Sequence, residues 1–505
     1  MKPLRFLLNI ICGFLLLLLC VTSTAIATDA ESTEVVSIGG KQVLVTATEL
    51  NLSYCKLTDI TPIRKLTQLK SLKLGNNAIV DISPLADLSN LTELFLNDNQ
   101  IADLSPLSSL TALELIDLHN NHIVDISPMS GLFKLAHMNV SANQLREIPK
   151  LPNLMYLNIS QNQIDNISQL SALSNLETLS INGNRIKDIA MLAPLTQLKA
   201  LYASENQIAD LTAVAGFINL KVLSIGNNQI RVLSPLSALT NLDALFAEGN
   251  QIADISPISG LTKLRSLNLN HNSIENLMPL TTLEALEHLK ISHNQVKDLS
   301  PLANLKNLKG LYASENVVMA TSISDFPMLQ TLDLSSNKLT TLEGLDGLLS
   351  ILHLNVSHNQ LAALTPIAKL ESLVTLNISD NQASNLTPLS GLTNLRILTA
   401  GSNEISDLSA LSALVKLEEL YLEANQISDL SPLSGLVRMT HLNLAANQLE
   451  VLTPLKEMDN LNELSLWENG ALTLQEISEL RAELLWSQFI LEEPREAWEW
   501  NNNAG

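Results

Sequence analysis

Residues 198–208 have the sequence LKALYASENQI and residues 308–318 have LKGLYASENVV, so the string LYASEN occurs twice. In both copies, apolar residues stand eight, five and three positions before the asparagine and two positions after it. The same pattern surrounds many other asparagines along the chain. These are Asn77, Asn99, Asn121, Asn143, Asn162, Asn184, Asn206, Asn228, Asn250, Asn272, Asn294, Asn316, Asn337, Asn359, Asn381, Asn403, Asn425, Asn447 and Asn469. LYASEN is therefore one instance of an internal repeat.

The repeat is almost strictly periodic. Consecutive asparagines lie 22 residues apart, except for 19 residues from 143 to 162 and 21 residues from 316 to 337. Cys55 takes the equivalent place in LNLSYCKLTDI, which gives twenty rungs, numbered here from Cys55 (rung 1) to Asn469 (rung 20). We call the residue at this place the ladder residue. A fixed period of this length predicts a solenoid in which each unit covers the apolar face of its neighbour.

The consensus L-x-x-L-x-L-x-x-N/C-x-L resembles the leucine-rich repeat, and its period is similar to that of bacterial internalins and of a regulatory subunit of a protein phosphatase. The resemblance extends over residues 47–472. It implies an α/β fold, a curved solenoid or horseshoe. The parallel β-sheet would form the concave face, and short helical or 3-10 turns would form the convex face. The resemblance also implies that the concave face binds a protein.

Individual positions have physical roles in this repeat. Leucines at alternate strand positions point into the core, and a buried asparagine amide can satisfy backbone groups at the turn. The recurring DISPL and DLSPL segments predict turns in which the aspartate accepts a backbone N–H bond. Columns of such aspartates could also bind a cation, although capping explains each one alone. The aspartates are Asp59, Asp81, Asp103, Asp125, Asp188, Asp210, Asp407 and Asp429.

The first thirty residues have the features of an export signal. Lys2 and Arg5 precede an apolar run at 6–21, and Ala25-Ile26-Ala27 has the small-x-small pattern of a signal-peptidase site. We therefore predict a signal peptide at residues 1–27 and a secreted, periplasmic or cell-surface protein. A second apolar stretch of that kind does not follow, so we expect no stable membrane insertion after cleavage.

Cysteine content and charge limit the possible partners. Cys12 and Cys20 lie in the predicted signal, so the chain after cleavage keeps Cys55 and forms no intramolecular disulfide. Removal of Lys2 and Arg5 changes the net charge from −21 to −23. A surface this acidic argues against nucleic acids and anionic membranes as binding partners.

Both ends of a solenoid need caps, because an open end exposes the core. Residues 28–46 predict an N-terminal β-hairpin cap with Gly39-Gly40 at its turn. Thr473 and Glu476 form a capping-box pattern, which predicts a C-terminal capping helix over residues 473–493. Residues 494–505 form an acidic tail that contains tryptophan, and its sequence predicts no particular structure.

Strand residues six, four and two positions before each ladder residue face solvent on the concave side. Aromatic and apolar residues at these places are candidates for partner binding, because aromatic rings are frequent anchors of interfaces. The alternative is that the rings stack on neighbouring side chains of the same chain. Rungs 8 to 10 have the densest set. The candidates are Phe95, Tyr156, Tyr202, Val222, Phe246, Tyr312 and Tyr421.

The concave residues also suggest a duplication. Four positions before the ladder residue, rungs 1–10 match rungs 11–20 in residue type at nine places. Lys73 matches Lys290 and Asp117 matches Asp333, and these matches are less expected than those among the many Asn and Ser residues. We interpret the array as a tandem duplication of a ten-rung block.

The sequence has no Gly-rich phosphate loop, no G-x-S-x-G and no H-E-x-x-H. His271, His293 and Glu315 precede the ladder residue on three consecutive rungs and form a weak metal candidate. The alternative is that they are hydrophilic residues at an exposed rim. We therefore expect no catalysis and no cofactor.

Together these features predict an exported, non-catalytic module that binds a protein partner through its concave face. A self-associating cell-envelope scaffold is the alternative, in which case the protein would form homo-oligomers. A metal-binding protein is a more remote alternative.

Overall fold

The computed structural model describes residues 34–151, 154–321, 323, 325–484 and 488–490. The predicted signal peptide at 1–27 and the tail at 494–505 lie outside the described residues. Among the described residues, no helix combines the length and apolar character needed to cross a membrane.

Each rung contributes one three-residue strand to a parallel sheet, and successive strands from β3 to β23 pair in chain order. Equivalent residues of neighbouring rungs are aligned, as Leu201 is with Leu223. The strands are β1 (Val35–Ile38), β2 (Lys41–Leu44), β3 (Glu49–Asn51), β4 (Ser71–Lys73), β5 (Glu93–Phe95), β6 (Leu115–Asp117), β7 (His137–Asn139), β8 (Tyr156–Asn158), β9 (Thr178–Ser180), β10 (Ala200–Tyr202), β11 (Val222–Ser224), β12 (Ala244–Phe246), β13 (Ser266–Asn268), β14 (His288–Lys290), β15 (Gly310–Tyr312), β16 (Thr331–Asp333), β17 (His353–Asn355), β18 (Thr375–Asn377), β19 (Ile397–Thr399), β20 (Glu419–Tyr421), β21 (His441–Asn443), β22 (Glu463–Ser465) and β23 (Gln488–Ile490). This sheet confirms the predicted solenoid and places its concave face.

The apolar positions of the repeat form one continuous core. In rung 8, Leu198, Leu201, Ala203 and Ile208 are completely buried, and the equivalent residues of the other rungs pack against them. Burial of one leucine side chain stabilises a fold by about 1.5–3 kcal/mol, so the array is stabilised mainly by these contacts between rungs. The string LYASEN is thus largely core and turn, with Tyr202 on the outer face.

The ladder asparagines satisfy backbone groups at the turn, as predicted, and these groups belong to two neighbouring rungs. The Nδ2 amide of Asn206 donates to the carbonyl groups of Ile181, Ala203 and Ser204 at 2.9, 3.3 and 3.1 Å. Its Oδ1 accepts the N–H of Ile186 at 3.0 Å. A buried polar side chain with four such bonds links each rung to the one before it.

The convex side consists of short 3-10 helical turns. The turns span Thr61–Lys65, Ser83–Leu85, Ser105–Leu107, Ser127–Gly131, Ser168–Ala172, Ala190–Leu192, Thr212–Gly216, Ser234–Leu236, Ser256–Ile258, Met278–Leu280, Ser300–Asn304, Leu345–Gly347, Thr365–Lys369, Thr387–Leu389, Ser409–Leu411, Ser431–Leu433 and Thr453–Leu455. Such a turn is found in each 22-residue repeat. Between β7 and β8 and between β15 and β16 the described residues form none, and these are the 19- and 21-residue repeats.

The predicted aspartate caps are confirmed. Each of the eight aspartates accepts, through Oδ1, the N–H of the residue two positions later at 2.7–2.8 Å. Thr61, for example, donates to Asp59 from both its backbone N–H and its hydroxyl group, at 2.8 and 2.6 Å. These bonds account for the aspartate columns without a bound cation.

At the N-terminal end, β1 and β2 form an antiparallel hairpin. Gly39 and Gly40 occupy its turn with φ of +55° and +75°, a region that suits glycine. Val36, Ile38 and Val43 are buried on the side that joins the core, so the hairpin covers rung 1.

At the C-terminal end, helix α1 (Leu474–Glu483) begins at Thr473, whose hydroxyl oxygen accepts the N–H of Glu476 at 3.2 Å. The helix ends ten residues before the predicted limit of 493, and β23 follows it at Gln488–Ile490. This difference has a physical reason. The last strand of the repeats, β22, would otherwise leave its backbone N–H and C=O groups unpaired at the sheet edge, and β23 pairs with them.

Candidate functional site

The first and third residues of each strand from β3 to β22 project from the concave face, whereas the middle residue enters the core. In β10, for instance, Leu201 is buried between half-buried Ala200 and Tyr202. Because the strands are in register, each position forms a row across the sheet, with neighbouring residues one strand spacing apart. The site is therefore described by rows.

Three candidates meet on rungs 8 to 10, in what we call the central patch: Tyr202, Val222 and Phe246. Tyr202 and Phe246 flank Ser224 in one row. Val222 lies in the adjacent row, between Ala200 and Ala244. Small residues separate the larger ones, so the patch presents two rings and a valine on a shallow apolar floor.

Phe95 and Tyr312 stand apart from the central patch, and each is covered by a lysine of the preceding rung. The Nζ atom of Lys73 lies 5.4 Å from the ring centre of Phe95, and that of Lys290 lies 5.6 Å from the ring centre of Tyr312. Both are cation–π contacts. Burial raises the pKa of the Tyr312 hydroxyl group and lowers the pKa of the Lys290 ammonium group.

Tyr156 and Tyr421 also stand apart from the other candidates. The ring of Tyr156 stacks on His137 of the preceding rung at a centroid distance of 6.3 Å. The hydroxyl group of Tyr421 donates to Oε2 of Glu419 at 3.2 Å. Burial, followed by the charge of Glu419, raises the pKa of Tyr421.

All seven candidates are half-buried. The most exposed large apolar residues lie elsewhere, such as Phe133 on the convex side with 82% of its surface exposed. Several candidate rings pack against neighbouring side chains of the same chain. This is the alternative to partner binding that the sequence leaves open. Each still presents part of its surface on the concave face.

The structure has a column of residues with left-handed backbone conformation that was not predicted from the sequence. In all twenty rungs the residue directly before the ladder residue has a positive φ, between 51° and 64°. Few non-glycine residues adopt this region, although Asn, Asp and His do so more often than others. The abundance of Asn, Asp and His at this position was the feature of the sequence that could have indicated the left-handed conformation. The residues are Tyr54, Asn76, Asp98, Asn120, Ala142, Gln161, Gly183, Glu205, Asn227, Gly249, His271, His293, Glu315, Ser336, His358, Asp380, Ser402, Ala424, Ala446 and Glu468.

The weak metal candidate lies in this column. The rings of His271 and His293 stack at a centroid distance of 3.8 Å, and Nδ1 of His293 lies 2.7 Å from Oε2 of Glu315. Stacked rings direct their in-plane nitrogen lone pairs side by side, so the pair does not converge on one ion. Within the described ranges, no group of three His, Cys, Asp or Glu side chains has an arrangement that could hold a metal ion.

A second titratable cluster lies on rungs 3 and 4. His119 is 2.9 Å from Oδ1 of Asp117 through Nδ1 and 3.3 Å from Oδ2 of Asp98 through Nε2. The hydrogen bond to Asp117 raises the pKa of His119, although burial opposes the shift. The imidazolium form is therefore favoured between the two carboxylates.

Comparisons of the sequence with family models agree with this architecture. A model described as "Leucine Rich repeats (2 copies)" matches residues 48–87, 89–131, 241–282 and 393–435. Two further leucine-rich-repeat models match residues 152–208 and 328–348. No curated protein matches the chain significantly.

Among solved structures, a leucine-rich-repeat protein of Leptospira interrogans is similar over 88% of this chain and 96% of its own, with 22% identity and a TM-score of 0.52. The Arabidopsis receptor kinase HAESA, solved with a peptide hormone and a co-receptor, is 22% identical over 77% of this chain and 72% of its own, with a TM-score of 0.62. An internalin of Listeria monocytogenes is 25% identical over 80% of this chain and 89% of its own, with a TM-score of 0.34. The first two show that the chain shares their fold.

Proposed function

Because the chain belongs to the leucine-rich-repeat proteins, we propose that it is an exported module that binds a protein partner through its concave face without catalysing a reaction. Proteins of this family are in general protein-binding scaffolds. Residues 1–27, with the features of a signal peptide, support export to the cell envelope or the medium.

The central patch is the observation that supports this proposal best. Tyr202, Val222 and Phe246 lie on three adjacent rungs, and the residues between them are small. A tyrosine or phenylalanine ring offers a large contact area at low cost in side-chain entropy, which is why such rings are frequent hot spots of interfaces. At about 4.8 Å for each rung, the whole face is roughly 90 Å long along its arc and can hold an extended partner.

Affinity capture with the chain that lacks residues 1–27 tests the proposal. The wild type is compared with a variant that combines Tyr202→Ala, Phe246→Ala and Tyr312→Ala, in extracts of cell envelopes and of host cells. We expect one protein to be retained by the wild type and lost from this variant, because three rings that anchor the partner are removed.

A matched control removes as much apolar surface from the convex side. Phe133→Ala, Ile218→Ala and Leu349→Ala change residues that are exposed there, and this variant is expected to retain the partner. Loss from the convex variant alone would contradict the proposal. Capture of nothing but the chain itself, together with dimers in analytical ultracentrifugation that the concave variant abolishes, would favour the self-associating scaffold.

A further inference from the structure

Histidine is concentrated on the concave face. We call the residues six, four, two and one positions before each ladder residue the concave rows; over twenty rungs they comprise eighty positions. Eight of the nine histidines of the chain stand at these positions, and the ninth is His122. Each of the eight is exposed or half-buried, so none of them fills the core. They are His119, His137, His271, His288, His293, His353, His358 and His441.

The concave rows are also strongly acidic. They contain thirteen Asp and Glu residues and two lysines, which is a net charge of −11 with neutral histidines. The whole chain without residues 1–27 has a net charge of −23, so these eighty positions carry nearly half of it. The acidic residues are Glu49, Glu93, Asp98, Asp117, Glu205, Glu248, Glu315, Asp333, Asp380, Glu419, Glu423, Glu463 and Glu468.

The two lysines of the concave rows already have partners in the chain. Lys73 lies over Phe95 and Lys290 lies over Tyr312. Lys290 also attracts the carboxylate of Glu248. No other lysine or arginine stands in these rows, so the remaining carboxylates depend on histidine for a positive charge within the same rows.

Three histidines form ion pairs with carboxylates of the concave rows. Arg396 and Glu418, by contrast, pair outside the rows, seven positions before the ladder residue. Histidine is therefore the cation that several carboxylates of the concave face meet within the chain, and its charge depends on pH. The pairs are His119 with Asp98 and Asp117 at 3.3 and 2.9 Å, His293 with Glu315 at 2.7 Å, and His358 with Asp380 at 3.5 Å.

The other five histidines have mixed surroundings, in which rings, hydroxyl groups and charges of both signs face the imidazole. His137 stacks on Tyr156, His271 stacks on His293 and faces Glu315, His288 faces Arg265, Glu287, Lys290 and Lys309, His353 bonds to Thr375, and His441 bonds to Thr440 and lies in its row between Glu419 and Glu463. These rings remain in contact with solvent, so they can gain a proton without unfolding the rung.

The charge of the concave face therefore depends on pH, because histidine gains its charge in the range from about pH 8 to pH 5. Protonation of all eight histidines would change the net charge of the rows from −11 to −3. The hydrogen bond to Asp117 raises the pKa of His119, whereas burial lowers the pKa of His271, His288 and His353. The histidines thus titrate over a range, and the negative charge is lost gradually as the pH falls.

We propose that the concave face binds a basic protein segment at neutral pH and releases it as the pH falls toward 5.5. This inference rests on the proposed function, since it names the chemistry of the partner and the regulation of the same face. A face with thirteen carboxylates and two lysines is complementary in charge to a basic partner and repels an acidic one. Protonation of the histidines places positive charge beside the bound lysines or arginines, and this repulsion weakens the complex.

A synthetic peptide provides the probe: acetyl-(Lys-Ser-Gly)7-amide with a rhodamine label. Its charge is constant between pH 5.5 and pH 7.5, because lysine titrates near pH 10.4. Binding to the chain without residues 1–27 is measured by fluorescence anisotropy at low salt, where exposed charges are least screened. We expect the peptide to bind about tenfold more weakly at pH 5.5 than at pH 7.5, since several weak charge contacts change together. The same peptide with glutamine in place of lysine should not bind at either pH.

Two triple variants with the same net charge show whether the peptide binds to the concave face. One combines Glu49→Gln, Glu93→Gln and Glu463→Gln, all in the concave rows, and should weaken binding at pH 7.5 about tenfold. The other removes three exposed charges ten positions before the ladder residue, on the convex side, and should keep the affinity within about twofold. The convex substitutions are Glu284→Gln, Glu371→Gln and Asp459→Asn.

Histidine variants show whether these residues cause the pH dependence. A quadruple variant replaces the histidines six positions before the ladder residue by glutamine, which is polar and neutral at both pH values. It should bind like the wild type at pH 7.5, and the difference between pH 7.5 and pH 5.5 should fall from about tenfold to about threefold. His122→Gln, outside the concave rows, should leave the difference unchanged. The quadruple variant combines His137→Gln, His288→Gln, His353→Gln and His441→Gln.

The inference is wrong if the wild type does not bind the lysine peptide, if it binds equally at both pH values, or if the two triple variants lose equal affinity. Circular dichroism at both pH values checks that each variant is folded, and the single substitutions replace a combined variant that is not. The proposed function fails separately. A partner that is lost from the Tyr202, Phe246 and Tyr312 variant, yet retained equally at pH 7.5 and pH 5.5, would overturn this inference and leave the proposed function standing.

Discussion

Two regions of the concave face have nearly the same residues in the same row. The first row, on rungs 2 to 4, has Lys73, Phe95 and Asp117 in register, and the second row, on rungs 12 to 14, has Lys290, Tyr312 and Asp333. The lysine lies over the ring at 5.4 Å in the first row and at 5.6 Å in the second. The geometry of the row is thus reproduced ten rungs later.

The surroundings of the two rows differ. In the second row the ring of Tyr312 lies across Gly310, where a Cβ atom would be 3.2 Å from the ring, whereas exposed Glu93 occupies the same place in the first row. Burial raises the pKa of Asp333, whose Oδ1 accepts bonds from the N–H and hydroxyl groups of Ser335. In the first row His119 replaces that serine. The adjacent columns therefore determine the electrostatics of a row, even when the row itself is repeated.

The largest expected effect concerns what the two rows share. Asn99 and Asn316, the ladder residues of rungs 3 and 13, each make four hydrogen bonds to the backbone. Asn99→Ala and Asn316→Ala each leave buried carbonyl and N–H groups unpaired, and should lower local stability by about 3 kcal/mol. Hydrogen exchange followed by mass spectrometry measures this for each rung. Unequal losses of local stability in the two variants would show that the hydrogen-bonded backbone around rungs 3 and 13 differs as well.

The next effect belongs to the first row alone. The pKa of His119 is raised, chiefly by its hydrogen bond to Asp117. A raised pKa in the folded state means that this stabilisation is complete below the unfolded pKa of about 6.5 and is lost as the pH rises through the folded value. Since 34% of the His119 side chain is exposed, we expect a change of at most about 1 kcal/mol.

Hydrogen exchange of rungs 3 to 5 at pH 5.5 and pH 8, corrected for the intrinsic rate, tests this expectation. Rung 14 serves as the internal reference, because Ser335 stands there in place of His119. His119→Gln should remove the difference between the two regions. An equal pH dependence in both regions would refute the assignment to His119.

Replacing the row's aspartate by asparagine should change the stability in opposite directions in the two rows, and this effect is smaller. Because burial raises the pKa of Asp333, its protonated carboxyl group stabilises the fold most below the unfolded pKa of about 3.9, and that contribution is lost as the pH rises through the folded value. Asp333→Asn should therefore raise stability at pH 7 by about 0.5 kcal/mol, since Asn keeps the acceptor for Ser335. Asp117→Asn should lower stability at pH 6 by a similar amount, because His119 loses its main anionic partner. Urea titrations at both pH values measure whether each variant is more or less stable than the wild type. A lower stability of Asp333→Asn at pH 7 would be evidence against a desolvated carboxylate.

Much of this structure could be predicted from the sequence, because the repeat applies one physical rule twenty times. The alternation of apolar residues placed each strand and each core leucine. The eight capping aspartates were also predictable, since each satisfies a local N–H group two residues away. Such features depend on neighbours in the sequence.

Features that depend on contacts between rungs were not predicted. The contacts of Lys73 with the ring of Phe95 and of Lys290 with the ring of Tyr312 each join residues that stand 22 positions apart in the sequence. The left-handed column admits many residue types, from Tyr54 to Ala446, so its pattern in the sequence is weak. β23 likewise forms because the edge of the sheet needs a partner, a requirement that its own residues do not display.

The smallest expected effect separates the two cation–π contacts. Lys73→Met should lower stability by about 0.5 kcal/mol, since the methionine keeps the packing on Phe95 but loses the charge above the ring. Lys290→Met should be close to neutral, because the pKa of Lys290 is lowered by burial and the lost attraction to Tyr312 is offset by relief of that desolvation. Urea titration of both variants, with Phe95→Leu and Tyr312→Leu completing two double-mutant cycles, measures the coupling in each row. If the two cycles give equal coupling and the two lysine variants lose equal stability, burial does not distinguish the rows, and the contrast between them rests on Asp117, Asp333 and His119 alone.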